Sequence, residues 1–573
     1  MSVTVEKPRS TAHPQQANGR GEITGGREQW DAIVIGSGLG GLSCAAYLCA
    51  AGKRTLVLES HYVAGGNSQT FRREPKGKLY EFDVGLHYIG ECGPEGLITR
   101  VMRGAGLDGR VSYRQLDSDG FSTLIFPDVT FRVPAGWDRY KKRLQETFPQ
   151  EAESLGKVVD ILIHVAGESR RLQSGEVSEA TMFTELPMFF EWGIRPITDL
   201  FREFGISQRA SAVILGEQGD YAVRPSRTAV ALHAGLTDHY MRGAFYPEGG
   251  GQMLAARLVE AIRAYGGEVR VRSRVRNVRI ENGRAVGVTL DKGGAEIDAP
   301  IVVSNADLKR TVNELVGRQH FAPATVERVD SFRMSLPLFI VYLGVDVDYV
   351  AKGLPNTNYF MWDTYDIEGI YETLESGRIP EHDMVYVTIA SLKDPHNPRL
   401  APPGHSNLQI MTLAPREYGV WNVETGPAEG GYYHTDEEYR RRKNDLVDRL
   451  IHSAERILPD LRKHIDWKES ATPITQERFT RSTGGTSYGI EFATDQMGPM
   501  RYGPETEIPG LYLVGASMPA GHGIGSVLRG GVITAGMILN RNLMSEVGRG
   551  AVIGDPSRLP EMTEDFDPWR EAH

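Results

Sequence analysis

Short apolar runs punctuated by glycine and charge recur along this chain, and two of them frame its first legible unit. "DAIVIG" at 31–36 is apolar without alternation, the pattern of a strand covered on both faces. Leu42, Ala45, Ala46 and Cys49 then recur at the spacing of one helix face, and Gly52 stands where a helix C-terminus is capped. "RTLVLE" at 54–59 is a second apolar run. Strand, helix and strand make a βαβ unit and predict an α/β fold built on a parallel sheet.

The same alternation returns far downstream. A helix is predicted from about Gln252 to Tyr265, then a strand in "EVRVRS", then "VRNVRIENGRAVGVTL", whose Asn282-Gly283 pair marks a two-residue hairpin. "GLYLVG" at 510–515 is a further strand, running into a glycine-rich helix start. Between these returns lies a helix with Leu446, Val447, Leu450, Ile451 and Ala454 inward, its start boxed by Thr435 and Glu438. Residues 1–28 and 546–573 are polar and aperiodic and read as tails, the first disordered. A chain of 573 residues exceeds what one core serves, so two interleaved domains are expected.

Composition narrows the partners. A net charge of −10 excludes a polyanion-binding surface, so nucleic acid is not expected. Cys44, Cys49 and Cys92 have neither metal-ligand spacing nor an even count, and "MSVTVEKPRSTAHPQQ" lacks the apolar core of a signal peptide. A reducing cytoplasm is the expected compartment. No stretch approaches the roughly 20 apolar residues of a membrane span, which leaves peripheral contact as the route to a bilayer.

The first turn carries the chemistry. Gly36, Gly38 and Gly41 form GxGxxG between strand and helix, with Ser37, Leu39 and Gly40 in the same loop. The first glycine permits the turn, the second admits a pyrophosphate to the backbone, and the third lets helix and strand pack closely. Helix N–H groups then face the phosphate. Glu59, followed by Ser60, ends the next strand eighteen residues after Gly41, where a carboxylate accepts the ribose hydroxyls of a dinucleotide.

Gly65-Gly66, followed by Asn67 and Ser68, resembles the second fingerprint of the amine-oxidase and phytoene-desaturase superfamily of FAD proteins. The resemblance continues in order through "FDVGLHYIG", "GAFYPEGGGQMLAARLVEAI", "IVVSNADL", "SLKDPHNPRLAPPG", "ATPITQERFTRSTGGTSYG" and "IPGLYLVGASMPAGHGIGSVLRGG". These segments look like the landmarks of retinol saturases and plant-type carotenoid isomerases, and the His-Tyr pair of the first is most similar to the retinol saturase branch. The resemblance implies a Rossmann-like FAD domain from 29–110, 243–310 and 502–545, interleaved with an α+β substrate domain from 111–242 and 311–501. It also implies that Gly85, Leu86, His87, Val275, Gly515, Ser517, Gly525, Ser526 and Val527 lie about the FAD. Many relatives carry an acidic residue shortly after the glycine equivalent to Gly515; this chain has Ala516-Ser517-Met518, which puts a charge-based contact there in doubt.

A flavin exchanges hydride, so the substrate class must come from the second domain. "TMFTELPMFFEWGI" at 181–194 and "NYFMWDTY" at 358–365 are rich in large apolar residues; they suit a long hydrocarbon, and the first also suits a membrane-facing patch. The expectation is an FAD-dependent oxidoreductase acting on carbon-carbon double bonds of a hydrophobic polyene or isoprenoid, with saturation ahead of desaturation or isomerisation. His87, Tyr88, Tyr488 and His522 are the acid-base candidates. There is no HExxH or CxxC, and no second strand-GxGxxG-helix unit for a nicotinamide, so an external electron donor or acceptor is expected. Two alternatives share the architecture: an amine-oxidase-like flavoprotein, and a non-catalytic prenyl-binding protein similar to the GDP-dissociation inhibitors. The latter lose the third glycine, whereas Gly41 and Gly515 stand here.

Overall fold

A computed structural model describes residues 22–24, 27–174, 176–178 and 180–573. Its nucleotide-side layer is a five-stranded parallel sheet in the order Glu268–Arg270, Thr55–Leu58, Ala32–Ile35, Val302–Ser304, Leu511–Leu513. The apolar runs at Ala32–Ile35 and Thr55–Leu58 are buried throughout, as covered parallel strands require. The helix Leu39–Ala50 crosses Ile524–Leu539 at very short range, because Gly531 leaves room for the Gly40 carbonyl: a Cβ at 531 would lie 2.5 Å from that oxygen.

A second five-stranded sheet flanks this layer and contains the predicted hairpin. Asn282 at φ 51° and Gly283 at φ 75° close it with the left-handed pair that matches strand twist. A seven-stranded, mainly antiparallel sheet forms the other half of the molecule, drawn from 122–133, 338–413 and 465–471. Its strand Leu338–Val345 is buried along its whole length. The helix Glu437–Ala454 covers this sheet with Leu446, Val447, Leu450, Ile451 and Ala454, as the periodicity predicts.

Three local expectations are corrected. The helix at 437 is capped by Asp436, whose Oδ1 accepts from Tyr439 N at 2.7 Å, while Glu438 pairs with Arg441 and Arg442 instead of closing a box with Thr435. The polar segment 1–28 is not all tail. Arg27–Gln29 is a strand that pairs in parallel with Glu296–Asp298, and Glu28 binds Arg270; residues 1–21 lie outside the described part.

The C-terminal 546–573 is docked. Arg72 donates to both oxygens of Asp567, the Arg257 guanidinium lies 3.6 Å from the centre of the Phe566 ring, and Ala64 N donates to Ala572 O at 2.8 Å. Its anchors Leu559, Phe566 and Ala572 have no helical or strand period, so pattern reading passes over them.

Candidate active site

A cleft runs along the C-terminal edge of the parallel sheet, where dinucleotides bind in open α/β folds. Its floor is made of glycines packed against Asn305 and against one another. A Cβ on Gly38 would lie 2.7 Å from Asn305 Nδ2, one on Gly66 2.9 Å from Gly38 Cα, and one on Gly515 2.9 Å from Asn305 Oδ1. Gly36, Leu39, Gly40, Gly65, Asn67, Ser68, Val275 and Val527 also line this cleft. Gly41 does not; a Cβ there would sit 2.4 Å from Gly36 O, so its work is the helix-strand contact assigned to the third glycine.

Glu59 closes the cleft at the end of its strand. Its carboxylate accepts from Ser37 N at 2.9 Å, Ser37 Oγ at 2.7 Å and His61 N at 2.7 Å, with Ser60 Oγ at 3.2 Å. Ser37 is therefore buried as a buttress for Glu59. An oriented carboxylate beside a side-chain-free floor and the helix N-terminus at Gly38 fits the ribose and pyrophosphate of FAD.

Beyond Gly85 the cleft meets a chamber of about 400 Å³, within the range of small-molecule sites. Asn67, Gly85, Tyr488, His522 and Gly523 belong to both walls. Gly85 is required by a close approach within the wall, since a Cβ there would lie 2.9 Å from Asn67 O. Asn67 Nδ2 donates to Ser487 O, Ser68 Oγ to Gly251 O, and Ser517 Oγ accepts from Ile490 N at 3.4 Å. These polar atoms hold loops in place. Leu86 is buried behind the wall, and Gly525 and Ser526 line the chamber rather than the cleft.

The chamber walls are Tyr88, Tyr240, Tyr386, Met384, Leu232 and Ile340 among others. None of residues 181–194 or 358–365 lines it, which corrects their assignment to the substrate lining. Leu186 and Trp192 are core, Phe183 and Ile194 face outward at 64% and 46% exposure, and 358–362 is a central strand of the large sheet. Apolar density marks burial without saying against what.

The four acid-base candidates all line the chamber but differ in state. Burial, reinforced by the Lys393 charge, lowers His87 to about 3, and burial with Arg501 nearby lowers His522 to about 3. Both imidazoles are neutral. His522 Nε2 is buried with no protein partner. Tyr488 donates its hydroxyl to Gly219 O at 3.0 Å. Tyr88 donates to Asp220 Oδ2 at 2.6 Å, with Glu217 Oε1 at 3.2 Å.

Sequence reasoning missed the groups behind this wall. Lys393, fully buried, donates to His87 O and, at 2.7 Å, to Asn358 Oδ1; burial lowers it to about 7 against the pull of Asp83 and Asp220. Asp83 accepts from Tyr246 and from Gly251 N, and burial raises it to about 7. Arg501 gives its hydrogens to the carbonyls of Gln496, Ala516, Met518 and Ile490, and burial lowers it to about 9. Asp83 and Lys393 stand in landmark segments of the sequence, which was the available signal; Asp220 and Glu217 stand in none. Among the described residues no cluster of ligands suits a metal.

This arrangement defines a flavin-dependent oxidoreductase. The sequence model of the flavin containing amine oxidoreductase family matches residues 39–539, and the chain belongs to that family. Among individual proteins it is similar to the all-trans-retinol 13,14-reductase of Macaca fascicularis, 28% identical over 552 residues, covering 91% of this chain and 87% of that one. It is also similar to the chloroplastic prolycopene isomerase of Daucus carota, 26% identical over 538 residues, covering 89% and 80%. Wild-type putrescine oxidase bound to putrescine shares the fold, with a TM-score of 0.58 at 15% identity over 90% of this chain and 99% of that one. With the family established, the non-catalytic prenyl-binding alternative falls away.

Proposed function

We propose that this protein acts on carbon-carbon double bonds of a hydrophobic polyene or isoprenoid, and that it saturates them. The observation that carries the reading is the chamber of aromatic and aliphatic side chains that meets the FAD cleft at Gly85, Tyr488 and His522. The relatives named for a retinol reduction and a prolycopene isomerisation support the same substrate class.

FAD supplies hydride exchange when bound. The glycine floor and Glu59 would hold its pyrophosphate and ribose, and the chamber would keep water from the bond that changes. Of the four candidates Tyr88 has the only hydroxyl backed by acids, which makes it the group to hold and deliver a proton. Neutral His87 and His522 shape the wall. In this reading an external donor supplies the electrons.

Two placements belong with this reading. The outward Phe183 and Ile194 support peripheral contact with a lipid surface from which a polyene is drawn. The buried free thiols of Cys44, Cys49 and Cys92 suit a reducing cytoplasm. Reducing the holoenzyme without oxygen, adding candidate polyenes and weighing the product tests the activity. Gain of two hydrogens with flavin reoxidation is expected; an unchanged mass with a shifted spectrum marks an isomerase.

An amine-oxidase activity is the second reading, favoured by the aromatic walls and by the acids Asp220 and Glu217. Those acids are raised to about 7 and about 8 by burial, which weakens them as partners for an ammonium.

A further inference from the structure

Behind Tyr88, away from the FAD cleft, the short turn Gln218–Asp220 brings Glu217 and Asp220 to one side of the backbone, and both reach the same phenol oxygen. The Tyr240 ring lies parallel on Tyr88 with centroids 4.2 Å apart, and its hydroxyl approaches Asp220 Oδ2 at 3.4 Å. We propose that Tyr88, Asp220 and Glu217 form a proton store, with Tyr88 the group that touches substrate and the two carboxyls the positioning residues that load it. This rests on the reading of the protein as a double-bond oxidoreductase and adds the source of the second hydrogen.

The hydrogen count requires such a store. With both carboxyls ionised, the single Tyr88 hydrogen is tied to Asp220, which lines the same chamber, and is not free for substrate. Two carboxylates around one hydroxyl repel each other, which favours one proton between them. That proton lets a carboxyl O–H donate to the phenol oxygen and frees the phenol hydrogen to face the chamber that Tyr88 lines.

Burial places the carboxyls where they can do this at neutral pH, Asp220 near 7 and Glu217 near 8. Burial also raises the Tyr88 hydroxyl well above its usual range, so the phenol alone is a poor acid and needs the carboxyl behind it. The remaining neighbours do not compete. Tyr140, Tyr221, Tyr386 and Tyr488 are phenols held neutral by burial, His87 and His239 are neutral, and the Lys393 amine, itself lowered to about 7, lies 5.9 Å from the centre of the Tyr88 ring.

The balance for saturation is then complete. One alkene carbon would take the hydride, with its two electrons, that bound FAD would supply once reduced by an external two-electron donor. The other forms its C–H bond as the Tyr88 O–H bond breaks; the phenolate oxygen takes the carboxyl proton, and solvent reprotonates the carboxylate. The product gains two hydrogens.

The test compares wild type, Tyr88→Phe, Asp220→Asn and Glu217→Gln as holoenzymes of equal FAD content. Infrared titration of the oxidised protein without substrate should show protonated-carboxyl C=O intensity near neutral pH beyond that of buried Asp83, and this extra intensity should fall in Asp220→Asn and in Glu217→Gln. In a single anaerobic turnover with a polyene, the wild-type rate should fall as pH rises through about 7–8. Asp220→Asn should flatten that fall, and Tyr88→Phe should slow turnover by about a hundredfold or more. A carboxyl band at pH near 6 that neither Asp220→Asn nor Glu217→Gln diminishes, or a Tyr88→Phe enzyme that saturates the polyene at the wild-type rate and profile, overturns the store while leaving the double-bond reading intact. Wild type that reduces no polyene overturns that reading and the store's role with it, even where the carboxyl band is present.

Discussion

At the scale of single residues, burial decides which groups hold protons. Asp220 ionises near 3.9 in an unfolded chain and near 7 in the folded one. The folded state therefore binds the extra proton between those values, and the stability this gives is present at low pH and lost as pH rises to about 7. Asp220→Asn removes the carboxyl that wild type must ionise. Its stability relative to wild type should climb from pH 5 to pH 8 by on the order of 2–3 kcal/mol at most. Thermal melts at the two pH values check this, and a gap that does not change with pH contradicts it.

The glycine floor makes a second residue-scale prediction. Gly41→Ala places a Cβ 2.4 Å from a backbone oxygen that no rotamer change can move. The overpacking of roughly 1–3 kcal/mol should cut FAD retention about tenfold or more, read as the flavin-to-protein absorbance ratio.

At the scale of elements, the sequence was most legible where burial is continuous. "AIVI" and "TLVL" announced covered strands, and Asn282-Gly283 announced its hairpin, because local geometry alone sets those choices. Elements fixed by charge pairing were not legible. Arg27–Gln29, paired between Glu22–Thr24 and Glu296–Asp298, is a three-residue strand without apolar alternation, and the segment ending at His573 is held by Arg72 with Asp567 and Arg257 with Phe566. Asp567→Asn should destabilise the protein by about 1–3 kcal/mol, since it leaves Arg72 with Glu81 as its carboxylate partner, and should speed proteolysis after residue 550. Thermal melts and a timed digest measure both.

The outward part of 181–194 belongs to the same scale. Phe183→Ser should reduce cosedimentation with phosphatidylcholine vesicles while leaving FAD content unchanged. Equal sedimentation of variant and wild type would assign Phe183 no part in lipid contact.

At the scale of the whole molecule, the fold and the FAD side were readable because their residues lie within short windows: Gly36 to Glu59, then Gly65 to Ser68. The chemistry was not, because it is assembled across the interleaved halves. Tyr88 meets Asp220 from 132 positions away, and Lys393 reaches His87 O across 306. No pattern within one window carries such a contact, so His87 and Tyr88 were visible as candidates while the acids and the amine that set their states were not.

The most direct measurement of the central claim is one anaerobic turnover of the reduced holoenzyme with an all-trans polyene, following flavin reoxidation and product mass together. The account predicts stoichiometric reoxidation and a product heavier by two hydrogens. A flavin that stays reduced with every polyene, in an enzyme whose oxidised form is reduced by a primary amine, would contradict it.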